Sequence, residues 1–148
     1  MRRIVPLLLL IALAIVPASL AESLDLLVNG EVDAVSDAGF PTGWYRDMWF
    51  TDAGVSSLTV EAGVAGGSSL CVTNFEPNDA RWAQDVAVEP NALYRISAMV
   101  LADGIGEDGY GANLSVKDTF SYSDMLYDTG GDWPSCRSSE GRAPSRRS

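Results

Sequence analysis

The chain has 148 residues, no histidine, and 20 acidic against 10 basic residues, for a formal net charge of −10. Without histidine there is no Ser-His-Asp or Cys-His nucleophile activation and no histidine-containing metal site. The negative charge repels phosphate backbones, so neither nucleic acid nor an anionic membrane surface is an expected partner.

The elements follow in chain order. Arg2 and Arg3, the apolar run Ile4 to Val16 and the small residues Ser19 and Ala21 around Leu20 have the order of a secretory signal peptide over residues 1–21. The apolar run is shorter than the roughly 20 residues a membrane-spanning helix needs. The mature chain is expected to be exported, secreted or extracytoplasmic, with no membrane contact after signal cleavage. No Cys follows the run to carry a lipid.

Residues 22–133 form one domain. They carry 19 acidic residues against Arg46, Arg81, Arg95 and Lys117, a formal −15. Leu24 to Gly30 reads as a first strand entering an Asn-Gly turn. Residues 31–53 read as a long irregular stretch holding Phe40, Trp44, Tyr45, Trp49 and Phe50. Short alternating runs at Ser57 to Glu61, Ser69 to Asn74, Trp82 to Val88, Tyr94 to Leu101 and Ala112 to Lys117 each predict a strand. Trp82 to Val100 predicts a hairpin turning at Glu89, Pro90 and Asn91. In its second strand Tyr94, Ile96, Ala98 and Val100 oppose Arg95, Ser97, Met99 and Leu101. No window after the leader has a sustained helical period, so the expected class is all-β, a sandwich of short strands.

Residues 134–148 change character, with five Ser, four Arg and two Pro and no apolar side chain larger than Ala except Cys136. Such a composition is not expected to supply a buried strand face. Two readings remain: a disordered basic tail, or text read out of frame after Trp133. Cys71 and Cys136 could pair in an exported chain, with a small buried thiol as the alternative role for Cys71.

Several pieces together resemble the carbohydrate-binding modules of families 4 and 9. They are Leu26 to Asp33 (LLVNGEVD), Gly43-Trp44, Ser68 to Val72, the Gln-x-Val-x-Val-x-Pro-Asn-x-x-Tyr-Arg-x-Ser-Ala text from Gln84 to Ala98, Asn113 to Val116, and Gly131-Asp132-Trp133. The resemblance implies a galactose-binding-like jelly-roll β-sandwich that binds a neutral glycan or polysaccharide without catalysis. Modules of that kind continue past the matching Trp with further strands, so this chain resembles one truncated on its C-terminal side, and other domains would then be lost downstream. It is then expected to fold poorly alone, because unpaired central edges expose strands and leave the core open. The full-length family can hold a structural calcium near the position of Asp33, with its partner ligands in the later strands. No cofactor is expected for the chain as it stands.

The expected ligand-binding residues are Trp82, Arg81, Gln84, Trp49, Tyr45, Tyr110 and Asn113. Flat aromatic rings stack on the apolar face of a sugar while amides and guanidinium groups bond its hydroxyls. Trp44, Tyr122 and Tyr127 are further aromatic candidates, with core packing as the competing role for Trp44, Tyr94 and Trp133. Asn113 and Lys117 fall on the side of their strand opposite Leu114 and Val116, where they would line an exposed sheet.

Three other patterns have ordinary explanations. Gly104 to Gly109 satisfies G-x-G-x-x-G, but a strand and not a helix is expected after it, and Asp103, Glu107 and Asp108 would repel phosphates. Asn113-Leu114-Ser115 is a glycosylation sequon that matters only in a eukaryotic secretory pathway. The many carboxylates, including Asp47, Asp52, Asp79, Asp118 and Asp124, read as a solvated acidic surface and not as a glycosidase pair. The alternative to glycan binding is a structural or interaction sandwich appended to a larger surface or membrane protein.

Overall fold

In the computed structural model, residues 25–138 and 141–142 are described. The expected signal peptide lies outside them. Among the described residues the regular structure is strand apart from one short 3-10 turn at Val64–Gly66, so this part of the chain is all-β.

Eight strands form four antiparallel two-stranded ribbons among the described residues. β1 (Tyr45–Met48) pairs with β4 (Ala80–Ala83), with Asp47 opposite Arg81 and Arg46 opposite Trp82. β2 (Ser56–Ala62) pairs with β3 (Ser68–Asn74) in the longest ladder, from Ser56 opposite Asn74 to Ala62 opposite Ser68. β5 (Leu93–Tyr94) pairs with β8 (Gly141–Arg142), and β6 (Ser97–Met99) with β7 (Ser135–Arg137). The ribbons are small and the sheets are not closed.

β2 and β3 fall within one residue of their predicted bounds. Elsewhere the pairing departs from expectation. The text from Trp82 to Val100 does not fold onto itself. Its turn forms, since the Ala92 N–H donates to the Glu89 carbonyl at 3.3 Å. Asn91 takes φ 63° after Pro90, the pattern of a type II turn. No ladder follows the turn, because β4 ends at Ala83 and pairs with β1, while β5 and β6 take partners from residues 135–142. The predicted strand from Leu24 to Gly30 is absent over residues 25–30, where the backbone of Val28 is bonded by a side chain instead of a strand. Asn29 does turn the chain: its φ is 55° and its carbonyl accepts the Val32 N–H at 3.1 Å. The stretch read as irregular, 31–53, contains β1.

The run Ala112 to Lys117 makes only two isolated bridges, Ala112 to Leu126 and Ser115 to Tyr122. Between them the Ser123 hydroxyl takes the Leu114 N–H at 2.9 Å, a place in the ladder that a carbonyl would otherwise fill. Gly111 fits that ladder for want of a side chain: a Cβ there would meet the Leu126 carbonyl oxygen at 2.6 Å.

Contrary to the tail's composition, Ser135–Arg137 is a strand. Cys136, its one apolar side chain, is buried opposite Ala98, with Sγ 3.1 Å from the Ser123 hydroxyl. Both cysteines are free.

The interior is small. Val32, Leu58, Ala102 and Cys136 are the buried apolar residues among those described, with Pro41 fully enclosed. Leu93, Phe75, Phe120 and Trp49 are among the many large apolar side chains left exposed.

Candidate functional site

Alternation along β1 and β4 sends Arg46 and Trp82 to one side of the ribbon and Tyr45, Asp47 and Arg81 to the other. The inward side is committed to packing. The Trp82 indole N–H donates to the Cys71 carbonyl of β3 at 3.1 Å. Its ring meets Phe40 edge-on, with centroids 6.4 Å apart and planes at 80°. The Arg46 guanidinium lies 4.2 Å from the Phe40 centroid and 5.3 Å from that of Trp82, and donates to the Leu58 carbonyl of β2 at 2.6 Å. The Trp82 and Arg46 hydrogen bonds join the β1–β4 ribbon to the β2–β3 ribbon, and the cation–π contacts hold Phe40 against the first of these.

Gln84 is spent internally as well. Its amide accepts the Val28 N–H at 2.7 Å and donates to the Val28 carbonyl at 2.8 Å. Gly43 allows this approach. It adopts φ 83°, and a Cβ there would meet Val28 Cγ1 at 3.0 Å and Gln84 Nε2 at 3.3 Å.

The outward side holds a charged cluster. Asp47 Oδ2 lies 3.6 Å from Arg81 Nε and 3.8 Å from Lys117 Nζ. Arg81 also bonds Asp79 at 2.7 Å through Nη2. Its Nε, shielded from solvent, has no hydrogen-bond acceptor and is attracted to Asp47 by charge alone. The Tyr45 hydroxyl donates to Asp85 Oδ1 at 3.1 Å. That hydrogen bond, then desolvation and the Asp85 charge, raise the Tyr45 pKa above its usual value. Asp47 adds to the rise and Lys117 opposes it. The result is an exposed aromatic ring beside carboxylate acceptors and two cationic donors, a set able to stack on one face of a small polar ring and bond its hydroxyls.

Of the seven expected ligand residues, Tyr45 and Arg81 share this face. Trp49, 77% exposed, continues the parity of Tyr45 and Asp47 just beyond β1. Asn113 is exposed on the same side of its segment as Lys117, with its amide donating to the Gly111 carbonyl at 3.1 Å. Trp82 and Gln84 are used inside the fold. Tyr110 stands 86% exposed on the loop before Ala112, away from the cluster's hydrogen bonds and ion pairs. Asp85 lies in the predicted strand Trp82 to Val88 and reaches the cluster only through the Tyr45 hydroxyl, whereas Asp47 sits beside Tyr45 on β1, within a stretch that reads as irregular, which hides the face the two share. The period-two order of Tyr45, Asp47 and Trp49 against Arg46 and Met48 is the signal that could have revealed it.

Other features lie elsewhere. A wide-mouthed groove of about 390 Å³ runs between the 35–39 loop and β2, lined by Val35, Arg46, Val60 and Glu61 among others, and no residue of the outward cluster borders it. Gly106 to Gly109 closes a turn, the Gly109 N–H donating to the Gly106 carbonyl at 3.2 Å, and no helix follows. Among the described residues no three acidic, Cys or His side chains group together to hold a metal ion. No described helix is long and apolar enough to cross a membrane.

Comparison with family models, with curated proteins and with solved structures found no match to this chain.

Proposed function

We propose that the chain is an exported, non-catalytic module of jelly-roll, galactose-binding-like type, related to carbohydrate-binding modules of families 4 and 9, and that it binds a neutral polysaccharide or cell-wall glycan. The observation that carries the reading is the outward face of the β1–β4 ribbon. There the Tyr45 ring, exposed, stands with Asp85, Asp47, Arg81 and Lys117, so an aromatic platform and both kinds of hydrogen-bonding group meet on one surface. Three carboxylates, Asp47, Asp79 and Asp85, against two cations leave the face slightly negative. Such a face disfavours uronate-rich or sulfated chains and is compatible with uncharged sugars.

The alternative is an interaction sandwich with no sugar ligand, and one observation favours it. Trp82 and Gln84, two of the expected sugar contacts, spend their polar atoms inside the fold. Calorimetry with the exported chain against neutral plant and bacterial polysaccharides separates the two. Binding that is lost in both Tyr45→Ala and Arg81→Ala supports the glycan reading, and no binding across the panel rejects it.

A further inference from the structure

At one end of the two ribbons, the turn after β1 and the turn after β3 are tied together by a single amide. Asn78 Oδ1 accepts the Phe50 N–H at 2.9 Å, and its Nδ2 donates to the Phe50 carbonyl at 2.9 Å and to the Ser56 hydroxyl at 2.8 Å. The Trp49 N–H donates to the Asp79 carbonyl and the Phe75 N–H to the Val55 carbonyl, both at 2.9 Å. Asn74 Nδ2 adds a bond to the Asn78 carbonyl, also at 2.9 Å. These bonds fix the backbone that carries Trp49, Phe50 and Phe75, whose side chains are 77%, 50% and 65% exposed. Three large exposed rings are thus carried on cross-tied loops, and a fixed backbone lowers the ordering cost of binding.

The charge around the rings indicates the partner. Asp52, Glu76 and Asp79 lie on the same two turns, with Asp47 at the end of β1, and the nearby cation Arg81 is engaged by Asp79 and Asp47. Carboxylates and the negative π faces of aromatic rings attract the same ligand, a cation carried on an apolar stem. Phosphate-bearing surfaces are repelled for the same reason.

We infer that this loop end, formed by Trp49, Phe50 and Phe75 among Asp52, Glu76 and Asp79, is a docking surface for a basic, aliphatic-rich peptide segment of a partner protein. Phe50 and Phe75 lie outside the Tyr45–Arg81 face, whereas Trp49 and Asp79 border it, so Tyr45→Ala and Phe75→Ser are the variants that separate this surface from the proposed glycan site.

The test is fluorescence anisotropy with the full chain and a labelled peptide of alternating lysine and leucine. The expected result is saturable binding that Phe75→Ser and Trp49→Ser each weaken about tenfold, while Tyr45→Ala leaves it unchanged. Because Phe75 is already exposed, its replacement spares the interior, and an unchanged circular dichroism spectrum verifies this. Asn78→Ala, which keeps the rings and removes their scaffold, also weakens binding. Equal affinity for a lysine-glycine peptide of the same charge, or indifference to Phe75→Ser, overturns the inference. So does tighter binding of an aspartate-leucine peptide or of zwitterionic vesicles through the same rings.

Discussion

Gln84 holds Val28 by both atoms of its side-chain amide, accepting the backbone N–H at 2.7 Å and donating to the carbonyl at 2.8 Å. The pair reproduces one rung of a β-ladder with a side chain in place of a strand. It explains why a segment that reads as a strand needs no strand partner at this point. Gln84→Leu keeps bulk and removes both bonds, with an expected cost of about 1–3 kcal/mol. Hydrogen exchange should speed up at Val28, and glycan affinity should not change, since the amide already faces the protein.

The Tyr45 phenol, bonded to Asp85, should ionise above the ordinary tyrosine range. Its folded pKa is raised above the unfolded value, so its contribution to stability is complete below the ordinary tyrosine range near 10 and is lost as pH rises through the folded pKa. Ultraviolet titration should show a late phenolate step. Tyr45→Phe should remove that step, and Asp85→Asn should move it to lower pH. A late step that survives Tyr45→Phe would show the assignment to be wrong.

Lys117 brings the 112–126 segment to the outward face through an exposed contact with Asp47. An ion pair of this kind contributes about 0–1 kcal/mol. Lys117→Met should loosen the segment in hydrogen exchange at low salt, and wild type and variant should converge near 1 M salt, where the screening length falls to about 3 Å. A difference that persists at high salt would assign the effect to the alkyl stem and not to the charge.

Leu58 is 3% exposed in an interior with few other buried apolar residues. Leu58→Ala should cost about 2–5 kcal/mol, comparable with the whole stability of a marginal domain. The wild-type chain should give a broad thermal transition and bind a hydrophobic dye. The variant should lose its near-ultraviolet circular dichroism at 25 °C. A sharp, high-temperature transition in the wild type would contradict the small interior.

Local order was the most legible part of the sequence. The alternation from Tyr94 to Leu101 matches the structure residue by residue: Tyr94, Ile96, Ala98 and Val100 are half-buried, and Arg95, Ser97, Met99 and Leu101 are exposed. Leu114 and Val116 likewise face in, and Asn113 and Lys117 face out. The candidate site was less legible. Arg81 and Trp82 are neighbours that both suit a ligand, and period two states only that they point opposite ways.

The sequence by itself determined the all-β class, the ladder text of β2 and β3, the Pro90-Asn91 turn and the acidity of the body. These follow from side-chain periodicity, backbone preference and charge, which are properties of short windows. Only the tertiary structure decided that β4 pairs with β1 and not across its own turn, that Ser135–Arg137 pairs with β6, and that Arg81 faces outward while Trp82 packs inward. Strand pairing is a competition among distant segments for the same backbone donors and acceptors. Its outcome depends on which partner also buries the ring of Trp82 and satisfies Val28, and no local window contains that information.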